Sequence, residues 1–287
     1  MIFKEIRPSG ELQELVRYYL LVNLSFDVSP FPVKPYPARI EQALVFFGRG
    51  HIECIDPGNQ TRKRITRNAI FGQQVSRLNF QPVGSPDFLM LMVIFQPGAM
   101  HRILRVPSYE LSQLYCDAES VMNSALQDVN DAIANSPTYP QMIQHVENFL
   151  IRKKSSLDID RHPIDRIGNL LLHNPTLFSL DYISRQANLS PRQLERKFHE
   201  RIGVRPKLYS RISRFFKAFE YKELNPHTDW LTIALQFGYA DYYHLSKDFK
   251  QFATVTPNIM IEEWYERPEA KAERQKHIPP ITLIRDY

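Results

Sequence analysis

A run of cations between Arg185 and Lys217 is the part of this sequence whose residue types and spacing most clearly point to a chemistry. It contains Arg185, Arg192, Arg196, Lys197, Arg201, Arg205, Lys207, Arg211, Arg214 and Lys217, opposed there only by Glu195 and Glu200. Cations gathered in this way form an electrostatic footprint that suits phosphates. The overall balance says less: +5 over 287 residues is mild, and a small net charge of this kind does not by itself select nucleic acid as a partner.

Other candidate chemistries are thinner. His51, Glu53 and His101 are metal-ligand types, but no pair has the spacing that forces two side chains to converge. Cys54 and Cys116 lie far apart, without metal-ligand spacing or an activating neighbour, and read as buried thiols. Catalysis is therefore not expected, and no cofactor or metal is assigned. The apolar stretch Leu15 to Leu24 is broken by Arg17 and Asn23 and is too short for a bilayer. With no signal-peptide pattern at the N-terminus, the expectation is a cytoplasmic protein with no membrane partner.

The elements that must position the cations are helices repeated at an offset of about 50 residues. The first copy runs Leu180 to Ser190 and then Pro191 to Phe198; the second runs Leu231 to Ala240 and then Asp241 to Phe249. Capping residues precede each copy: Ser179 in one, Thr228 or Asp229 in the other. A tight interhelical turn needs a left-handed residue, and Asn188 and Gly238 stand at that point. Ser190 before Pro191, and Asp241 before Tyr242, then open the second helices. Leu194 with Phe198, and Leu245 with Phe249, fall four apart and anchor those helices, leaving the opposite faces free.

These residues resemble the C-terminal DNA-binding region of the AraC/XylS family of bacterial regulators. The likeness covers roughly Ile164 to Trp264, with a long connecting helix after Pro206. The first unit ends Phe198 to Gly203, Pro206 and Tyr209, close to the family spacing. The second departs from it: Thr254 stands where the family usually has Gly, and Met260-Ile261 replace an aromatic-Arg pair. The resemblance implies two helix-turn-helix units and double-stranded DNA as the partner.

In such units the second helix lies in the major groove and its early exposed residues reach base edges. Candidates for base contact are Arg192, Glu195 and Arg196 in the first unit, and Tyr242, Tyr243, Ser246 and Lys247 in the second. Arg pairs with guanine in a bidentate manner and Glu accepts from cytosine N4. Tyr242 and Tyr243 have packing on the connecting helix as their alternative. Candidates for phosphate contact are Lys197, His199, Lys207, Lys217 and Lys250, with the helix ends at Ser179 and Asp229.

Upstream, the chain reads as β-rich to about residue 116. Ala43 to Phe47, His51 to Ile55 and Phe88 to Phe95 are strand-like, and Asp56-Pro57-Gly58-Asn59 is a turn. Prolines from Pro30 to Pro37 mark a loop or an edge. Phe95 to Met100 followed by Leu104 to Pro107 resembles the small β-rich domains attached to some AraC-type regulators. In the family these sense a small molecule or mediate dimerisation, so the resemblance implies an effector of unidentified chemistry or a homodimer, and RNA polymerase as a further partner.

Two amphipathic helices follow, over Ala118 to Ile133 and Met142 to Leu150. They form a dimer interface, or else cover the β domain or dock on the helical part. The expected fold class is α+β: a barrel-like or cupin-like domain (1–116), a helical linker or dimerisation segment (117–160), an all-α tandem unit (161–266) and a tail (267–287) that is disordered or packs as an arm. The expected function is sequence-specific regulation of transcription. The alternatives are a non-specific architectural DNA-binding protein and a metal-dependent β-barrel enzyme fused to a DNA-binding domain.

Overall fold

The computed structural model describes residues 2–25, 31, 33–84, 86–112, 115–122, 125–157 and 162–266. The tail 267–287 and the linker residues Asp158 to Asp160 lie outside them. Ten strands and eleven helices are seen among the described residues.

The strands are β1 (Ile2–Ile6), β2 (Val16–Ser25), β3 (Lys34–Tyr36), β4 (Ala43–Arg49), β5 (His51–Ile55), β6 (Arg62–Arg64), β7 (Asn68–Phe71), β8 (Leu78–Val83), β9 (Asp87–Phe95) and β10 (Tyr115–Asp117). They form two open antiparallel sheets, ordered β1-β2-β9-β4-β7-β10 and β3-β8-β5-β6. The proline-rich stretch supplies β3 at the edge of the smaller sheet, where a residue without an N–H does least harm.

The apolar runs in β4 and β9 have one physical origin: the larger sheet is covered on both faces. Ala43, Val45 and Phe47 face the smaller sheet with Ile52 and Cys54. Leu44 and Phe46 face the helices, as do Leu89, Leu91 and Val93. Period-two side-chain alternation thus feeds two different cores.

The helical cover consists of α1 (Ala99–Leu104), α2 (Ala118–Met122), α3 (Ala125–Asn135) and α4 (Tyr139–Ser155). Val129 and Ile133 on α3, and Met142, Ile143, Val146, Phe149 and Leu150 on α4, are buried in the core behind the larger sheet. Within the single chain these two apolar stripes cover the β domain. The segment expected as a single helix from Ala118 to Ile133 is α2 and α3, on either side of residues 123–124.

The C-terminal part comprises α5 (Pro163–His173), α6 (Leu180–Ala187), α7 (Pro191–Ile202), α8 (Pro206–Leu224), α9 (Trp230–Gln236), α10 (Tyr242–Ala253) and α11 (Pro257–Tyr265). Its core gathers Leu194, Phe198, Leu245 and Phe249 with Tyr209, Ile212, Phe215 and Phe219 of α8. The longest of these helices, α8, connects the two units, and Phe215 packs edge-on against Phe249 at 4.8 Å. Among the described residues no helix is long and apolar enough to cross a membrane.

The two parts share a boundary with both apolar and hydrogen-bonded contacts. Ala38 and Ile40, from the chain between β3 and β4, sit in the helical core, and the Ala38 amide donates to the Phe252 carbonyl at 2.9 Å. On the other unit, Ser108 and Ser112 hydroxyls donate to the carbonyls of Arg201 (2.9 Å) and Gly203 (2.7 Å).

Candidate nucleic-acid interface

Each helix-turn-helix unit is defined by its caps. The Ser179 hydroxyl accepts from the Tyr182 amide to open α6. Asp229, rather than Thr228, accepts from Leu231 and Thr232 to open α9. The turns contain the expected left-handed residues, Asn188 at φ 52° and Gly238 at φ 73°. At α7, Ser190 and Gln193 form a reciprocal capping box, with Pro191 at the first helical position. Asp241 accepts from the His244 amide at 2.8 Å to open α10.

These caps set the internal register. Measured from Ser179 and Asp229, Leu180 corresponds to Trp230, one residue before the Leu231 with which the repeat begins in sequence. The second turn then has one extra residue, Ala240. Measured from Ser190 and Asp241, Arg192 corresponds to Tyr243, Glu195 to Ser246, Arg196 to Lys247 and His199 to Lys250. Three of the reading positions named from sequence therefore coincide across the two copies, while Tyr242 falls opposite Pro191.

Their exposure separates them. Arg192, Arg196, Tyr242, Tyr243 and Lys247 are exposed, Tyr243 at 70%, while Glu195 and Ser246 are half-buried. Leu194, Phe198, Leu245 and Phe249 are fully buried beneath them. Burying one stripe of α7 and α10 thus presents the other, and Tyr243 is not packed on the connecting helix.

The phosphate candidates fare unevenly. Lys207 and Lys250 are exposed. Lys197 is tied to Glu200 at 3.1 Å, and Lys217 is half-buried. The His199 ring is stacked on Tyr109 at 4.8 Å, against the N-terminal part. Burial, helped by Arg205, holds the His199 pKa below its ordinary value. The ring face is taken up by Tyr109, which leaves His199 less free to meet a phosphate than Lys207 or Lys250. At Asp229 the carboxylate already fills the helix end, and its bonds to Thr232 lower its pKa. A negative group in that place repels phosphate, so Asp229 serves as a cap. The Ser179 hydroxyl is likewise engaged as a cap, through the Tyr182 amide.

Part of the cation run is also committed internally. Arg201, 6% exposed, donates to both Asp165 oxygens at 2.8 Å. Arg211 donates to Asp248 at 2.5 Å, and Arg214 lies 3.5 Å from the same carboxylate. Sequence reasoning missed these roles because each partner lies more than 30 residues away. An i,i+3 pair such as Lys197–Glu200 is visible in the sequence; Arg211–Asp248 is not.

An open groove of about 410 Å³ runs along the first unit, lined by Asp181, Ser184, Arg185, Asn188, Leu189 and Pro191. Among the described residues, His, Cys, Asp and Glu nowhere form a group of three that could hold a metal ion. His51, Glu53 and His101 have other surroundings: Glu53 faces Arg62 at 3.5 Å, and His101 Nδ1 lies 2.8 Å from the Val106 carbonyl. Cys54 is buried and Cys116 half-buried, both as free thiols.

Two helix-turn-helix units with capped turns and outward second helices define a DNA-binding domain. Residues 183–262 match the family model described as "Helix-turn-helix domain", a match that spans both units. No curated protein matches the chain's sequence. Among solved structures, ToxT from Vibrio cholerae in its P21 form is 13% identical with a TM-score of 0.49, over 85% of this chain and 97% of that one. Apo ToxT from Vibrio cholerae strain SCE256 is 15% identical with a TM-score of 0.49, over 91% of this chain and 99% of that one.

Proposed function

We propose that the chain is a sequence-specific transcriptional regulator that reads two adjacent major-groove segments of double-stranded DNA. Arg192, Glu195 and Arg196 read one segment; Tyr242, Tyr243, Ser246 and Lys247 read the other. Lys207, Lys250, Lys197 and Lys217 supply phosphate contacts, which position without specifying. The observation that carries this reading is the coincidence, at equivalent positions of two capped second helices, of exposed side chains able to bond base edges.

Two reading helices in one chain imply a bipartite site with centres about 34 Å apart on one DNA face. The N-terminal part, which touches both units through Ala38 and Ser108, modulates the domain, through a small molecule or a second copy of the chain, and RNA polymerase is the downstream partner.

The test is selection of sites from a randomised duplex pool by the full chain at about 0.15 M salt, where charges beyond roughly 8 Å are screened. A bipartite motif is expected, and it should withstand excess bulk genomic DNA. Arg196→Ala should weaken binding to the selected site by about 1–3 kcal/mol and relax one base preference. Enrichment of no motif at all, or an Arg196→Ala variant with unchanged preferences, would overturn the reading.

A further inference from the structure

The two reading helices are held by different means. At the eighth residue of each capped segment, just before the anchoring phenylalanine, α7 has Lys197 and α10 has Asp248. Lys197 is on the surface with Glu200. Asp248 is only 6% exposed, beneath α10 and against α8. A carboxylate in such a place needs partners in full, since an unpaired buried charge costs several kcal/mol.

Those partners come from α8 and from the interhelical turn. Arg211 donates to Asp248 Oδ1 at 2.5 Å and to Gln251 Oε1 at 2.7 Å, so one guanidinium spans two positions of α10. Arg214 lies 3.5 Å from Asp248 Oδ2, donates to the Gly238 carbonyl at 3.1 Å and covers the Tyr239 ring at 4.0 Å. The Tyr239 hydroxyl donates to Asp248 Oδ2 at 3.1 Å. Arginines three apart on one helix face thus grip the turn and the reading helix together. The planar fork of each guanidinium makes this an angular constraint as well as an attraction.

We infer that Asp248, Arg211, Arg214 and Tyr239 are positioning residues that set the angle of α10 on α8, and through it the half-site spacing the protein accepts. This rests on the two-segment reading proposed above. It also assigns Arg211 and Arg214, both half-buried, to the contact between α8 and the second unit rather than to the phosphate-facing run. The helix-turn-helix architecture does not itself demand the arrangement, because the first unit has Leu189 and Lys197 at the positions of Tyr239 and Asp248.

The first measurement needs no DNA: amide hydrogen exchange on the full chain, comparing wild type with Asp248→Asn and with Tyr239→Phe. Loss of a charge-assisted bond should speed exchange in Tyr242–Ala253 on the order of tenfold, with Pro191–Ile202 unchanged. Tyr239→Phe keeps the ring and the charges, so it reports the hydroxyl alone should Asp248→Asn fold poorly. Equal acceleration in both helices, or none in α10, would overturn the inference.

The second measurement is a trait that simple stability would not move. Site selection with Asp248→Asn should return the wild-type first half-site with a wider range of spacings. Arg211→Gln should leave the slope of log affinity against log salt unchanged. A fall of about 0.9 in that slope marks a lost phosphate contact and would refute the positioning role. Should wild type itself select no site, the two-segment reading fails while the exchange result still decides whether the four residues hold α10.

Discussion

Thr254 ends α10 with φ at 62°, a left-handed conformation that a β-branched residue adopts at a cost of about 1–2 kcal/mol. Its hydroxyl lies 2.6 Å from the Ala253 carbonyl, which recovers part of that cost. Thr254→Gly relieves the strain but adds about 0.5–1 kcal/mol of chain entropy on unfolding. The net expectation is stabilisation by about 0.5–1 kcal/mol, read from the denaturant midpoint at constant slope; a lower midpoint would show the hydroxyl bond to be worth more than the strain. At His199 the relevant variable is pH. Its folded pKa lies below the ordinary value of 6.5 because of burial and Arg205. The unfolded chain therefore binds the proton more readily than the folded one. Stability from this group is full above the unfolded value and is lost as pH falls through the folded one. Between about pH 7.5 and 5.5, wild type should lose more thermal midpoint than His199→Phe, which keeps a ring against Tyr109 without a titrating nitrogen. Parallel loss in the two proteins would remove His199 from the account.

At the scale of elements, local chemistry decides most of what the helical half shows. The capping box at Ser190 and Gln193 satisfies orphan amides where α7 begins, next to Arg192 and Arg196. Ser190→Ala should cost about 1 kcal/mol of stability. It should also weaken specific binding, because fraying reaches the first reading positions; a loss of stability with wild-type affinity would confine the cap to folding. The caps, turns and anchors were legible in the sequence because each acts within four or five residues. Asn188, Gly238, Leu194, Phe198, Leu245 and Phe249 could be placed that way. The β half was legible where runs were apolar, in β4, β5 and β9. It was not legible in β7 and β8, whose partners lie tens of residues away along the chain, nor in β1, a short edge strand without a fully buried residue. The apolar stretch at Leu15 to Leu24 was noted only for its unsuitability to a membrane; as β2 it carries pairing with both β1 and β9. Among site residues, exposure of the reading face followed from burial of its opposite. The fates of His199, Arg201, Arg211 and Arg214 depended on partners at long range.

At the scale of the whole molecule, the N-terminal part engages each helix-turn-helix unit at a different place. Ser108, Ser112 and Tyr109 meet the end of the first reading helix. Arg77 pairs with Glu263 of α11 at 2.7 Å and donates to the Ala253 carbonyl at 3.3 Å. Arg39 lies between the rings of Tyr36 and Phe216, 4.7 and 4.5 Å from their centroids, one ring from each half. Displacement of the N-terminal part would therefore be felt by both second helices at once, which is the route the proposed modulation of DNA binding would take. Gly98 is where this docking can be tested with a single atom. It stands at φ 83°, and a Cβ there would lie 2.1 Å from Asp165 Oδ1. That carboxylate cannot step aside cheaply, because Arg201 holds both of its oxygens. Gly98→Ala should thus cost on the order of 2–3 kcal/mol from left-handed strain and overpacking. It should also split one calorimetric transition into two as the halves uncouple. Gly10→Ala, with nothing within 4 Å of the added atom, should stay within about 0.5 kcal/mol of wild type. If Gly98→Ala unfolds in a single transition with an unchanged midpoint, the boundary through Asp165 and Arg201 yields easily, and the proposed coupling of the N-terminal part to DNA would have to run through Arg39 and Arg77 instead.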